Sequence, residues 1–77
     1  VLHYRAADAE LRDGELCLID AGCELHSYAS DITRTFPVGG RFSGPQRAIY
    51  ELVLSAQQAA IDATRPGAAF DAPHDAA

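Results

Sequence analysis

The spacing of apolar and polar residues along this chain first follows the logic of strands and then that of helices. Leu16 to Leu25 and Tyr28 to Phe36 are runs of apolar, β-branched or small residues, parted by His26-Ser27, and read as two strands of a hairpin. Further on, Ile49, Leu52, Val53, Ala56, Ala60 and Ala63 recur at helical spacing and make one apolar stripe. Ser43-Gly44-Pro45-Gln46 predicts where that helix starts, with Ser43 as N-cap, Pro45 in the first turn and Gln46 completing a capping box. Pro66-Gly67 predicts its end after Arg65, and a second helix is expected near Asp71. Val1 to Tyr4 reads as the end of an earlier strand. A polar loop follows, through the turn dipeptide Asp13-Gly14, and Gly39-Gly40 turns the chain after the hairpin. Antiparallel strands followed by helices make the fold class α+β.

The hairpin contains two residues that do not suit it. In the first strand, Leu16, Leu18, Asp20, Gly22 and Glu24 share one face, while Cys17, Ile19, Ala21, Cys23 and Leu25 share the other. Both faces are mostly apolar, so the strand is expected to be covered on both sides. A carboxylate there is costly unless something positive holds it. With His26-Ser27 as the loop, residue i pairs with residue 53 − i, which sets Asp20 opposite Thr33 and Gly22 opposite Asp31. Asp20 and Asp31 then become diagonal neighbours on one face, about 7–8 Å apart at the backbone. That separation suits two metal ions about 3.5–4 Å apart, and hard divalent cations are the ions that prefer oxygen ligands. A one-residue slip in register would send the acids to opposite faces. Gly22 is expected to leave room beside the Asp31 carboxylate.

Length, charge and cysteines narrow the picture. Seventy-seven residues make one domain at most, marginal as an independent fold. The chain opens on Val1-Leu2-His3 and stops within an apparent helix, so the expectation is a piece cut from a larger protein, incomplete at both ends. No apolar run reaches the roughly 18 residues of a membrane span. A net charge of −5 and a pI near 4.8 argue against a nucleic-acid partner, where a basic stripe is expected. All six basic residues are Arg, which says nothing about function. Cys17 and Cys23 lie on one strand about 20 Å apart if it stays extended. They cannot pair with each other, nor do they have the close spacing of a zinc site. They read as buried free thiols acting as small hydrophobes, which fits a reducing, cytoplasmic compartment.

Four segments together resemble one family: Asp20-Ala21-Gly22-Cys23-Glu24; Tyr28-Ala29-Ser30-Asp31-Ile32-Thr33-Arg34-Thr35-Phe36-Pro37-Val38; Gly40-Arg41-Phe42; and Gln46-Arg47-Ala48-Ile49-Tyr50-Glu51. They are similar to the X-Pro aminopeptidases (aminopeptidase P), and the related prolidases share most of the pattern. The resemblance covers nearly the whole chain. It implies the pita-bread α+β fold and a dinuclear metal site, usually manganese, held by two Asp and then by a His and two Glu much later in the chain. Asp20 and Asp31 match the first two ligands, with Asp31 in the bridging position, and the other three would lie beyond Ala77. His3 matches a family His that lies close to the substrate rather than on the metals, where an imidazole donates a hydrogen bond to a carbonyl or a developing oxyanion. The family often has Asn a few residues after that His, where this chain has Ala7, a departure that bears on the loop.

The function so implied is release of the N-terminal residue preceding proline, by attack of a metal-bridging hydroxide, from a peptide substrate with proline in second position. The intact protein is expected to be a homo-oligomer. Prolidase action on X-Pro dipeptides is the nearest rival, and a metal-free pita-bread binding module is a rival of another class. Each residue also has a plainer reading. Asp20 and Asp31 are otherwise solvated strand acids, and His3 a core histidine bonded to backbone. His26 is a solvated turn residue, and His74 a packing or surface residue of the second helix. Thr33 either braces a ligand carboxylate or reflects β-propensity alone, and Glu24 faces solvent.

Overall fold

The computed structural model describes residues 6–77; the strand end expected at Val1 to Tyr4 lies outside them. The chain divides into two units, one running through Phe42 and the other from Ser43 to Ala77.

The first unit is the hairpin. It contains β1 (Leu16–Ala21), β2 (Glu24–Leu25), β3 (Tyr28–Ala29) and β4 (Ile32–Pro37). β1 pairs antiparallel with β4, from Leu16 opposite Pro37 to Ala21 opposite Ile32. β2 pairs with β3, Glu24 opposite Ala29 and Leu25 opposite Tyr28. Every pair obeys the 53 − i register, so the loop does fall at His26-Ser27. Those two residues have φ of 51° and 69°. Two successive positive values belong to a type I′ turn, whose twist matches that of the strands. Neither residue is glycine, and the Ser27 N–H donates to the Glu24 carboxylate, which supports the turn locally. At the open end, Val38 N–H donates to Glu15 O at 2.9 Å, one pair beyond Leu16 and Pro37. Asp13-Gly14 makes the expected turn, with Gly14 at φ 88°.

The expected continuous strands are interrupted. Gly22 and Cys23 on one side, and Ser30 and Asp31 on the other, leave strand geometry. The two sides lose the same number of residues, so the register passes across the gap unchanged. The physical reason is local: the Ser30 carbonyl crosses toward Gly22, where a Cβ would stand 1.9 Å from its oxygen.

The second unit is helical. α1 spans Gly44–Ala63 and α2 spans Ala72–Ala76. Ser43 caps α1 with a full capping box: Gln46 N–H donates to Ser43 Oγ at 3.3 Å, and Ser43 N–H donates to Gln46 Oε1 at 2.9 Å. α1 stops two residues before the expected Arg65. The reason is Thr64, whose N–H reaches Ala60 O and Ile61 O while its hydroxyl donates to Ala60 O at 2.8 Å. Arg65 itself precedes a proline, which disfavours helical backbone. Arg65-Pro66-Gly67-Ala68 then closes as a turn, with Ala68 N–H on Arg65 O at 3.1 Å and Gly67 at φ 84°. Asp71 precedes α2, as expected, although its side chain caps nothing. α1 and α2 contact each other, and Ala56, Ala59, Ala60, Ala63, Ala72 and Pro73 are half-buried.

None of the described residues is fully buried. Leu18 on the acid face is 63% exposed and Ile19 on the opposite face 49%, so the described residues do not supply the cover expected for both faces of β1. On α1, Ile49, Leu52 and Val53 are likewise exposed.

Candidate metal centre

The ladder carries Asp20 into position and Thr33 fixes it there. The two residues are directly opposite, and Thr33 Oγ1 donates to Asp20 Oδ1 at 2.8 Å. That bond orients the Asp20 carboxylate. Thr33 is therefore placed by chemistry as well as by β-propensity.

Asp31 comes just before β4, outside strand geometry, and its carboxyl lies within hydrogen-bonding reach of Asp20. The carboxyls meet. A hydrogen bond with Asp20 lifts the Asp31 pKa above its ordinary 3.8, like charge on Asp20 lifts it further, and a little desolvation adds to both. Like charge at this range disfavours ionising both acids at once. The Asp31 side chain is exposed, so the Asp20 neighbour, far more than burial, is what raises its pKa.

Such a pair suits hard divalent cations. It offers only carboxylate oxygen, the donor that these ions prefer, and a positive charge between the acids offsets the like-charge repulsion that raises the Asp31 pKa. Two carboxylates fill only part of an ion's coordination. Among the described residues, no cluster of three or more His, Cys, Asp or Glu is gathered.

The remaining expected residues are placed as follows. His3 lies outside the described residues. His26 is exposed in the hairpin turn and His74 exposed in α2. Glu24 is exposed, as expected, with its carboxylate engaged by the turn. Cys17 and Cys23 are both free thiols. Neither is buried: Cys17 is half-buried, and Cys23 is exposed because it sits in the interrupted stretch, its Sγ 3.4 Å from Ser30 Oγ. The space at Gly22 is filled by the Ser30 main chain, where room beside the Asp31 carboxylate was expected.

Ser30 is the residue that sequence reasoning passes over. A serine before a strand carries no chemical signal of its own. Its position in the register could have singled it out, because residue 30 falls opposite Cys23 and beside Gly22, the one glycine within the hairpin strands.

The family model of metallopeptidase family M24 matches residues 1–77. The chain is 59% identical over 75 residues to a Xaa-Pro aminopeptidase of Haemophilus influenzae, covering 97% of this chain and 17% of that protein. Its structure superposes on that of Pseudomonas aeruginosa aminopeptidase PepP with a TM-score of 0.91 at 61% identity, over 97% of this chain and 17% of the other. A variant of Escherichia coli aminopeptidase P in complex with substrate gives a TM-score of 0.80 at 54% identity, over 87% and 15%. The elements described above thus correspond to a segment of the pita-bread fold. The chain spans about a sixth of the length of these relatives.

Proposed function

This chain belongs to metallopeptidase family M24, and from that membership we propose that the protein carrying it releases the N-terminal residue of peptides with proline in second position. The observation that carries the proposal is the meeting of Asp20 and Asp31, with Thr33 bracing Asp20, in a chain similar to Xaa-Pro aminopeptidases. In this reading Asp20 and Asp31 hold part of a pair of divalent cations, manganese being the expected metal. The other ligands come from chain beyond these residues. When bound, such ions supply Lewis acidity and a water whose pKa is lowered enough to serve as nucleophile near neutral pH.

The residues of this chain then have separate tasks. Asp31, as a carboxylate, would bind metal beside Asp20, and a cation there would offset the like-charge repulsion between them. Thr33 keeps the Asp20 carboxylate in one orientation throughout. His3 donates a hydrogen bond to the scissile carbonyl and strengthens it as negative charge develops on that oxygen. The free thiols Cys17 and Cys23 support placing the protein in a reducing compartment, the cytoplasm.

Two measurements test the reading. The full-length protein loaded with manganese should release the first residue from tripeptides and longer peptides that carry proline second; activity confined to X-Pro dipeptides would make it a dipeptidase instead. His3→Ala should lower kcat by about 10²-fold, the scale for loss of one oxyanion donor or general acid, with metal content unchanged. A variant that loses its metals, or keeps full activity, overturns the role given to His3.

A further inference from the structure

The interrupted stretch of the hairpin is built by a side chain standing in for a main-chain acceptor. Successive pairs of an antiparallel ladder alternate between those that exchange both backbone hydrogen bonds and those that exchange none. Val38 N–H on Glu15 O, and Ser30 N–H on Cys23 O at 2.9 Å, show that odd-numbered residues of the first strand belong to the bonded class. Cys23 and Ser30 should therefore exchange two bonds. They exchange one. The Cys23 N–H donates to Ser30 Oγ at 3.2 Å, in place of the Ser30 carbonyl. That carbonyl has turned onto Gly22, where a Cβ would lie 1.9 Å from its oxygen and 2.9 Å from its carbon. No residue with a side chain fits opposite it without a shift of the main chain.

The turned carbonyl belongs to the peptide unit that leads directly into Asp31. Rotating that unit rotates the Asp31 backbone with it, and so sets where the Asp31 side chain starts. We propose that Ser30 is a positioning residue for Asp31: its hydroxyl satisfies the Cys23 N–H, frees its own carbonyl to lie over Gly22, and thereby aims the Asp31 carboxyl at Asp20. Gly22 supplies the space that this arrangement needs. The proposal rests on the reading of Asp20 and Asp31 as metal ligands. It assigns Ser30 no contact with metal or substrate.

The chemistry separates positioning from simple support. Without the hydroxyl, the Cys23 N–H needs another acceptor, and the nearest one in register is the residue-30 carbonyl, turned back into the ladder. Ser30→Ala should therefore keep a regular hairpin while re-aiming Asp31. In calorimetric titration of the full-length, metal-free protein with manganese, Ser30→Ala should bind about 10–100-fold more weakly, the scale for losing a partner that orients a metal ligand. Its metal-free melting temperature should stay close to that of the unaltered protein. Ser30→Thr retains the hydroxyl and should bind as the unaltered protein does. Manganese affinity unchanged in Ser30→Ala overturns the proposal, and so does Ser30→Thr impaired as much as Ser30→Ala. Failure of the unaltered protein to take up manganese in the same titration would instead remove the reading of Asp20 and Asp31 as ligands.

Discussion

The hairpin and the helical unit are stabilised in opposite ways. α1 satisfies its own ends. Ser43 and Gln46 cap each other's amides, Thr64 closes the last turn, and Arg47 pairs with Glu51 at 2.8 Å one turn on. Each of those contacts spans a few residues, so the helix is specified by its own stretch of sequence. The hairpin depends on pairs far apart in sequence, bends its backbone through positive φ at two non-glycine residues, and brings two acids together. Its irregularities gather where the candidate chemistry sits. The helical unit thus has the sequence economy of a support, whereas the hairpin carries the turn irregularity and the paired acids.

The largest expected effect breaks the hairpin's side of this contrast. Asp31→Asn replaces a carboxylate with a neutral amide, a poor bridge between two cations. The full-length variant should lose dinuclear metal binding outright, while α1, whose contacts are local, should be unaffected. Metal analysis of the purified variant checks this, and two ions per chain at normal occupancy would count against both acids as ligands.

A nearly as large effect is expected from isolating the 77 residues. No described residue is buried, and Leu18, Ile19, Leu52 and Val53 remain exposed, so little apolar burial offsets an ordering entropy of about 1–2 kcal/mol per residue. Circular dichroism of the peptide should show no cooperative melt, with helix persisting better than hairpin, and the unpaired strand edges should favour aggregation. Manganese titration should find no tight site. A cooperative melt together with micromolar two-ion binding would show instead that the chain is a self-sufficient domain.

Much of this architecture was legible in the sequence because its signals are local or strictly periodic. The 53 − i register followed from where the apolar runs stop, and it put Asp20 and Asp31 on one face before any coordinates. The capping box at Ser43 and Gln46 was equally plain. The interruption at Gly22 and Ser30 was not, since it depends on which of two oxygens the Cys23 N–H chooses, and strand patterning is silent on that choice. Thr64 ended α1 early by a side-chain bond to the preceding turn, which competes with the proline signal two residues on. The cysteines were expected to be buried because their face is apolar; the described residues cover Cys17 only in part and leave Cys23 exposed.

A subtler effect concerns pH. The raised Asp31 pKa means that the folded, metal-free hairpin holds that proton more tightly than the unfolded chain. The stability this contributes is fully present below the ordinary carboxylate pKa of 3.8 and is lost as pH rises through the raised value. Manganese competes with the same proton, so its apparent affinity should climb across that window. Thermal melts of metal-free protein, taken as the difference between the unaltered chain and Asp31→Asn, should show stability falling with rising pH. A difference that stays flat, or rises, would mean that Asp20 does not raise the Asp31 pKa.

The smallest expected effect tests the helical side. Ser43 Oγ accepts from Gln46 N–H at 3.3 Å, whereas Arg47 N–H donates to Ser43 O at 2.9 Å. Ser43→Ala removes the first acceptor and leaves the second, because the main-chain oxygen survives the substitution. Losing such a cap costs about 1 kcal/mol, equivalent to roughly a fivefold change in an opening equilibrium. Hydrogen exchange at Gln46 should therefore speed up by about that factor, and exchange at Arg47 should change less. Amides of β1 and β4 should not respond, because the bonds lost with the cap all lie within the first turn of α1. If they exchanged faster as well, the helix start would be helping to hold the hairpin, and the division between a self-sufficient helix and a dependent hairpin would have to be redrawn.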